Sequence, residues 1–334
     1  MDEKHNFYNT FEDMATSHFQ CFLCGENLND KNVSKEHIIP KWVQNKFSLW
    51  NQTMVLPNQT TIKYKNLTVP CCKNCNNIIL SQIENQFISA VETGIDAIRQ
   101  LNELLIVQWI VKIKFALLFK NLVLKIDRTD PNSKTIVNDE VIKSFDITHT
   151  LLQTIRFPTN FIGPKPWSLF IYDIHDNDNT YYMGDYLESD LIYFQLGNIG
   201  LILVLLDCGI NIDMFNDVYG IFSNQIIHEV QFREICAKIH YKQHTKIKEP
   251  YYTIRMPNEN LQTMDFITTE SYGNTFEGWS QETYAHFLHH HLRKWAIPYD
   301  ELYHGGDLVS SYLKTDDGKF RIYRSSDPTD FYGI

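Results

Sequence analysis

The sequence predicts an α+β fold: a small N-terminal domain, residues 1–95, joined to a larger body, 96–334, that is helical first and mixed afterwards. Three observations predict it. Two Cys-x2-Cys pairs, Cys21/Cys24 and Cys72/Cys75, bracket one early segment. From Ile79 onward the apolar residues Ile79, Ile83, Phe87, Val91 and Ile95 recur every four positions, the period of a helix face. Beyond the breakers Pro158, Pro164 and Pro166 the apolar pattern shortens to that of strands. At 334 residues and 39.3 kDa, with 43% hydrophobic and 21% charged residues, the chain is globular and long enough for two domains.

Taken in order, residues 1–20 read as a short acidic helix or an irregular lead-in. Residues 21–70 read as a cysteine knuckle, a strand ending at His37, a loop through Trp50 and a second strand near Thr61–Val69. A helix begins at Asn76 and weakens at Gly94, and another spans about Gln100–Lys125. Asp130-Pro131-Asn132 marks a turn, followed by a helix over about Asn138–Phe157. Strands are expected at Ser168–Ile174, Thr180–Met183, Leu191–Gln195 and Ile199–Leu206. A helix over Asn224–Lys242 and a strand at Tyr251–Met256 come next. The last expected helix, 281–295, has Tyr284, Phe287, Leu288, Leu292 and Trp295 as its apolar stripe.

Four cysteines in two such pairs suit one tetrahedral zinc. A plain zinc ribbon leaves roughly 15–20 residues between its pairs, whereas 47 residues separate Cys24 from Cys72. Cys71 adjoins Cys72, but only Cys72 and Cys75 have the two-residue spacing; Cys208 and Cys236 read as isolated thiols. Without a basic and then apolar leader, or an uninterrupted spanning run, the chain is expected to be cytoplasmic. Leu104–Phe119 is broken by Gln108, Lys112 and Lys114. The net charge of −10 argues against general nucleic-acid binding. Locally the sign reverses: residues 31–80 hold seven lysines against the single acid Glu36. That strip suits backbone-phosphate contact, with Lys35, Lys41, Lys46 and Lys73 as candidates.

Within the strip stands Glu36-His37-Ile-Ile-Pro40, and Cys72-Lys-Asn-Cys75-Asn76-Asn77 follows. These motifs resemble the HNH (His-Me finger) endonucleases of the zinc-stapled kind, over about a quarter of the chain. The resemblance implies a ββα-metal unit with His37 as general base, Glu36 and Asn76 as ligands of a catalytic metal, and Asn66 orienting the base. Cys21, Cys24, Cys72 and Cys75 would hold the structural zinc. Ile79 stands where many members carry a lysine. Asn77 and Glu84 match a subgroup with Cys-Asn-Asn and a later glutamate. On the helix, Asn76, Leu80 and Glu84 share a face, so Glu84 either approaches the metal or anchors the domain, and anchoring is the favoured reading.

The residue types suit phosphodiester hydrolysis. A histidine titrates near 6.5 and can take a proton from water. Hard oxygen ligands suit Mg²⁺ or Mn²⁺, whereas thiolates suit zinc. The expected activity is therefore a metal-dependent endonuclease. Its expected partner, by resemblance, is double-stranded DNA. The acidic 96–334 body is expected to regulate it, with a regulatory protein or a second copy as further partners and no membrane. Such control would suit bacterial defence. The rival reading is a zinc-stapled binding module without catalysis. His286, His289, His290 and Arg293 read as a solvated helix face; the run that continues to His291 lacks the Glu of a His-Glu-x-x-His motif.

Overall fold

The computed structural model describes residues 19–322 except 176–178, 187–188, 258–262, 271–273 and 316. The expected N-terminal lead-in lies almost wholly outside the described residues. The fold is α+β, and the chain divides into two compact units. The first takes residues up to Thr93, Gln100–Ile162 and Tyr252–Ile267; the second takes Gly94–Arg99, Gly163–Tyr251 and Thr268 onward. One change of unit thus falls between Thr93 and Gly94, and the chain returns to the first unit at Gln100.

In that unit, β1 (Val33–His37) is followed by helix α1 (Lys41–Lys46), which Pro40 starts with its fixed φ. Strands β2 (Thr53–Val55) and β3 (Thr61–Lys63) form a small hairpin, and a single 3-10 turn, Tyr64–Asn66, leads into β4 (Thr68–Cys72). The expected strand over Thr61–Val69 is therefore two strands with different partners. β4 pairs antiparallel with β1, His37 opposite Thr68 and Val33 opposite Cys72. A wide π-type turn, Cys75–Leu80, then runs into α2 (Ser81–Thr93), which stops at Gly94 with φ at +119°.

After α3 (Ile95–Gln100), α4 (Glu103–Asn121) is apolar on every side because it is buried on nearly every side. Trp109 of α4 stacks on Phe87 of α2 at 4.1 Å, and Trp42 of α1 closes the aromatic cluster at 6.2 Å from each. Lys120 of α4 also donates to the Thr68 carbonyl on β4. The expected helix over Asn138–Phe157 is split by Phe145 into α5 (Asp139–Ser144) and α6 (Asp146–Gln153). Gln153 of α6 donates to the Leu23 carbonyl between the first two cysteines. β5 (Thr159–Ile162) ends this stretch.

The second unit is built on an antiparallel meander. It comprises β6 (Trp167–Ile174), β7 (Tyr181–Asp185), β8 (Leu191–Leu196) and β9 (Ile199–Leu205), close to the expected strands. Helices α7 (Ile210–Met214) and α8 (Asn216–Phe222) lead to β10 (Ile226–Ile227), which adds parallel to β6, giving the order β10-β6-β9-β8-β7. Against this sheet packs α9 (Glu229–His244), through Phe232, Ile235, Cys236 and Ile239. It begins five residues later than expected, at a capping box of His228 and Gln231. Back in the first unit, which takes Tyr252–Ile267, β11 (Tyr251–Arg255) and β12 (Met264–Thr269) form a three-stranded sheet with β5, in which β12 runs parallel to β5. α10 (Gln281–His291) packs on α9 through Tyr284 and Leu288, and α11 (Tyr299–Leu302) closes the group; the apolar stripe runs on through a 3-10 turn at Arg293–Trp295. Among the described residues, no helix is long and apolar enough to cross a membrane.

Candidate functional site

The pairing of β1 with β4 brings the two halves of the cysteine motif together. Cys21 and Cys24 precede β1 in a tight knuckle, closed by Gly25 donating to the Cys21 carbonyl with Gly25 at φ +70°. Cys72 ends β4 and Cys75 opens the π-type turn. All four sulfurs lie within 4.8 Å of one another. Cys24 Sγ and Cys72 Sγ are 3.8 Å apart, which matches the edge of a tetrahedron with Zn–S bonds of about 2.3 Å, about 3.8 Å. The Cys75 amide donates to Cys72 Sγ. Hydrogen bonds from neighbouring thiols, Cys24 foremost, pull Cys21 down to about 4, while the same crowding pushes Cys75 up. Four such sulfurs become thiolates together only around a cation. The cluster could thus hold a structural metal such as zinc, and it is the one metal-capable group of its kind among the described residues. Cys71 is also close, 3.8 Å from Cys21, but its hydrogen bond with the Cys21 sulfur, and then burial, keep its thiol protonated.

Side chains alternate along β1, so Lys35 and His37 share one face while Ser34 and Glu36 share the other. His37 is half-buried at the strand end. Its ring is hydrogen-bonded to the backbone carbonyl of Lys65 and lies nearly parallel to Trp50, at 5.9 Å between ring centres. Asn66, the expected orienting partner, lies exposed in the same 3-10 turn as Lys65. Burial first, then the Lys41 ammonium, hold His37 below its ordinary value, with the Lys65 carbonyl acting the other way. The imidazole is neutral at neutral pH, the form that accepts a proton.

On the opposite face, Asn76 donates from Nδ2 to Ser34 Oγ at 2.7 Å and to the Lys35 carbonyl at 3.2 Å. Those bonds use the amide nitrogen and leave Oδ1 as the ligand-type atom. Glu36 turns inward, 7% exposed, and one of its oxygens pairs with Lys112 of α4 at 2.7 Å. The same ammonium pairs with Glu84 of α2 at 2.6 Å. Burial acts to lower the Lys112 pKa, but Glu36 and Glu84 more than offset that and raise it. Burial raises the Glu36 carboxyl against the pull of Lys112. Glu36 and Asn76, the expected ligands of a Mg²⁺ or Mn²⁺ ion, thus offer one carboxylate and one amide oxygen, the hard donor types such a hydrated ion takes.

Glu84 anchors the domain through Lys112, as favoured from its place on the helix. Lys35, Lys41, Lys46 and Lys73 are all exposed, and Lys73 caps the Lys31 carbonyl at 2.8 Å. His286, His289, His290 and Arg293 are exposed as expected, with His286 stacked on Tyr299. His291 is instead buried and 3.1 Å from His240. Sequence reading missed Lys112, Lys65 and Trp50 as parts of the site. The signal for Lys112 was present: a lysine in a helix apolar on all sides has to find a carboxylate. No protein-family model matches the chain, and no curated protein or solved structure matches it.

Proposed function

We propose that the first unit is an HNH-type endonuclease acting on phosphodiester bonds, with double-stranded DNA as its substrate. The observation that carries the reading is the arrangement at the end of β1. A neutral, carbonyl-held histidine stands on an exposed, lysine-flanked face, and the helix opening with Asn76 packs beneath the same strand, fastened by the four-cysteine cluster.

In this reading His37 takes the proton of a water molecule, with the Lys65 backbone as a partner of its ring. Trp50 stacks on the ring and restricts its rotation. A divalent cation held by Glu36 and Asn76 would neutralise charge building on the scissile phosphate and the departing oxygen. Lys35 and Lys41 flank His37 and would draw the phosphate backbone to it. The products would carry 5′-phosphate and 3′-hydroxyl ends. The acidic second unit supplies control, in keeping with a role in bacterial defence.

The test is nicking of supercoiled plasmid with Mg²⁺, Mn²⁺ or chelator. Wild type should nick only with the metal, and His37→Ala with unchanged zinc content should lose about 10²–10⁴-fold in rate. Metal-dependent cutting that survives the substitution would remove His37 as the base.

A further inference from the structure

We infer that Lys112 is a positioning residue that sets the divalent-cation affinity of Glu36, with Glu84 as its counterweight; this rests on the reading of Glu36 as a cation ligand. The three side chains form a closed ionic group. Lys112 reaches in from α4 and is 2% exposed, with Nζ 2.7 Å from Glu36 Oε1 and 2.6 Å from Glu84 Oε1. Glu36 comes from β1 and Glu84 from α2, 9% and 22% exposed at the side chain. Three elements of different sequence origin therefore converge on a single ammonium.

The charge count decides the consequence. Two carboxylates and one ammonium leave a single net negative charge on the group. A second cation approaching Glu36 meets that charge and also the repulsion of a lysine too buried to move away. The group thus holds Glu36 in place while keeping its pull on a metal modest, as an exchangeable hydrated ion requires. Glu84 restores part of that pull without itself being a ligand.

The two halves of the group can be removed with opposite sign. Lys112→Met leaves two carboxylates and no internal cation, so it should bind the metal more tightly. Glu84→Gln leaves Glu36 and Lys112 balanced, so it should bind more weakly. A purely structural role would impair both alike. The measurement is Mn²⁺ binding to the full-length, zinc-loaded chain by electron paramagnetic resonance, without DNA. The expected result is a dissociation constant about tenfold lower for Lys112→Met and about tenfold higher for Glu84→Gln. Glu84→Gln should also need correspondingly more Mg²⁺ for half-maximal nicking.

Shifts of the same sign, or none, would overturn the inference. Glu84 is the most exposed of the three, and its replacement keeps Lys112 paired. That variant decides alone if Lys112→Met does not retain zinc. Glu36→Gln separates the two levels: if it binds Mn²⁺ as wild type does, the reading of Glu36 as a ligand fails, and the inference with it. If Glu36→Gln loses binding while the other two variants do not move it, only the inference fails.

Discussion

Two histidines of the first unit are held neutral by burial, and they titrate to different effect. His37 keeps one face toward solvent, where a neutral ring is useful. His149 of α6 is fully buried, packed 4.9 Å from the Phe115 ring and 3.1 Å from the Gln153 amide, and burial drops its pKa to about 3, with Arg156 adding to the effect. An unfolded His149 takes up its proton near 6.5. Between those values the unfolded chain binds more protons than the folded one, so stability declines as pH falls from about 6.5 to about 3 and levels off below. The contribution is on the order of a few kcal/mol. Urea midpoints measured at pH 7 and pH 4.5 should show that decline, and His149→Gln should flatten it. An equal decline in the variant would assign the pH dependence to other groups.

At the scale of elements, the cysteine cluster fastens a small antiparallel pair that Lys112, Lys120 and Asn76 also hold by side-chain bonds. A two-stranded pair is marginal on its own, and apparent zinc affinities of such four-ligand sites reach about 10–16 kcal/mol. Cys75→Ser should therefore bind less than stoichiometric metal, and amide exchange along β1 and β4 should rise to that of an open loop while β6, β8 and β9 keep their protection. Uniform protection in the variant would mean that α2 and α4 hold the pair without metal. The meander makes its own demand at Gly184, which faces Tyr193 across β7 and β8. A Cβ there would come within 2.0 Å of the phenol, so Gly184→Ala has to displace Tyr193 from its hydroxyl contacts with Tyr182 and Tyr186. Calorimetry should register a cost of about 1–3 kcal/mol with zinc content unchanged.

These elements also show what could be read in advance. The meander strands were legible because each is a short apolar run between turn residues, and α2 because its apolar period is regular. The pairing of β1 with β4 was not, since nothing local distinguishes Thr61–Lys63 from Thr68–Cys72 until partners are known. α1 was missed because six residues after a proline carry too little period to stand out from a loop. At the site, the cysteines, His37 and Asn76 were visible as motifs. The Lys65 carbonyl was not, because a backbone acceptor leaves no mark on residue type. Lys112 was read only as a charge interrupting an apolar run, because its partners lie 76 and 28 positions away.

At the scale of the whole chain, motif and folding unit do not coincide. The cysteines, His37, Asn76 and Glu84 all fall before residue 95, yet the unit that contains them takes in α4 and α6 as well. The aromatic cluster of Trp42 and Phe87 is completed by Trp109, and the knuckle is tied to α6 by Gln153. Lys112 adds a stricter condition than packing. A fragment ending at residue 95 would leave Glu36 and Glu84 without their cation and open to water the face that α4 covers. Grafting the motif onto another protein therefore requires the helix that carries this lysine. The portable piece of the molecule therefore has to reach past α4, and it is recognised by an ammonium that stands well downstream of all four cysteines rather than by the motif that draws the eye.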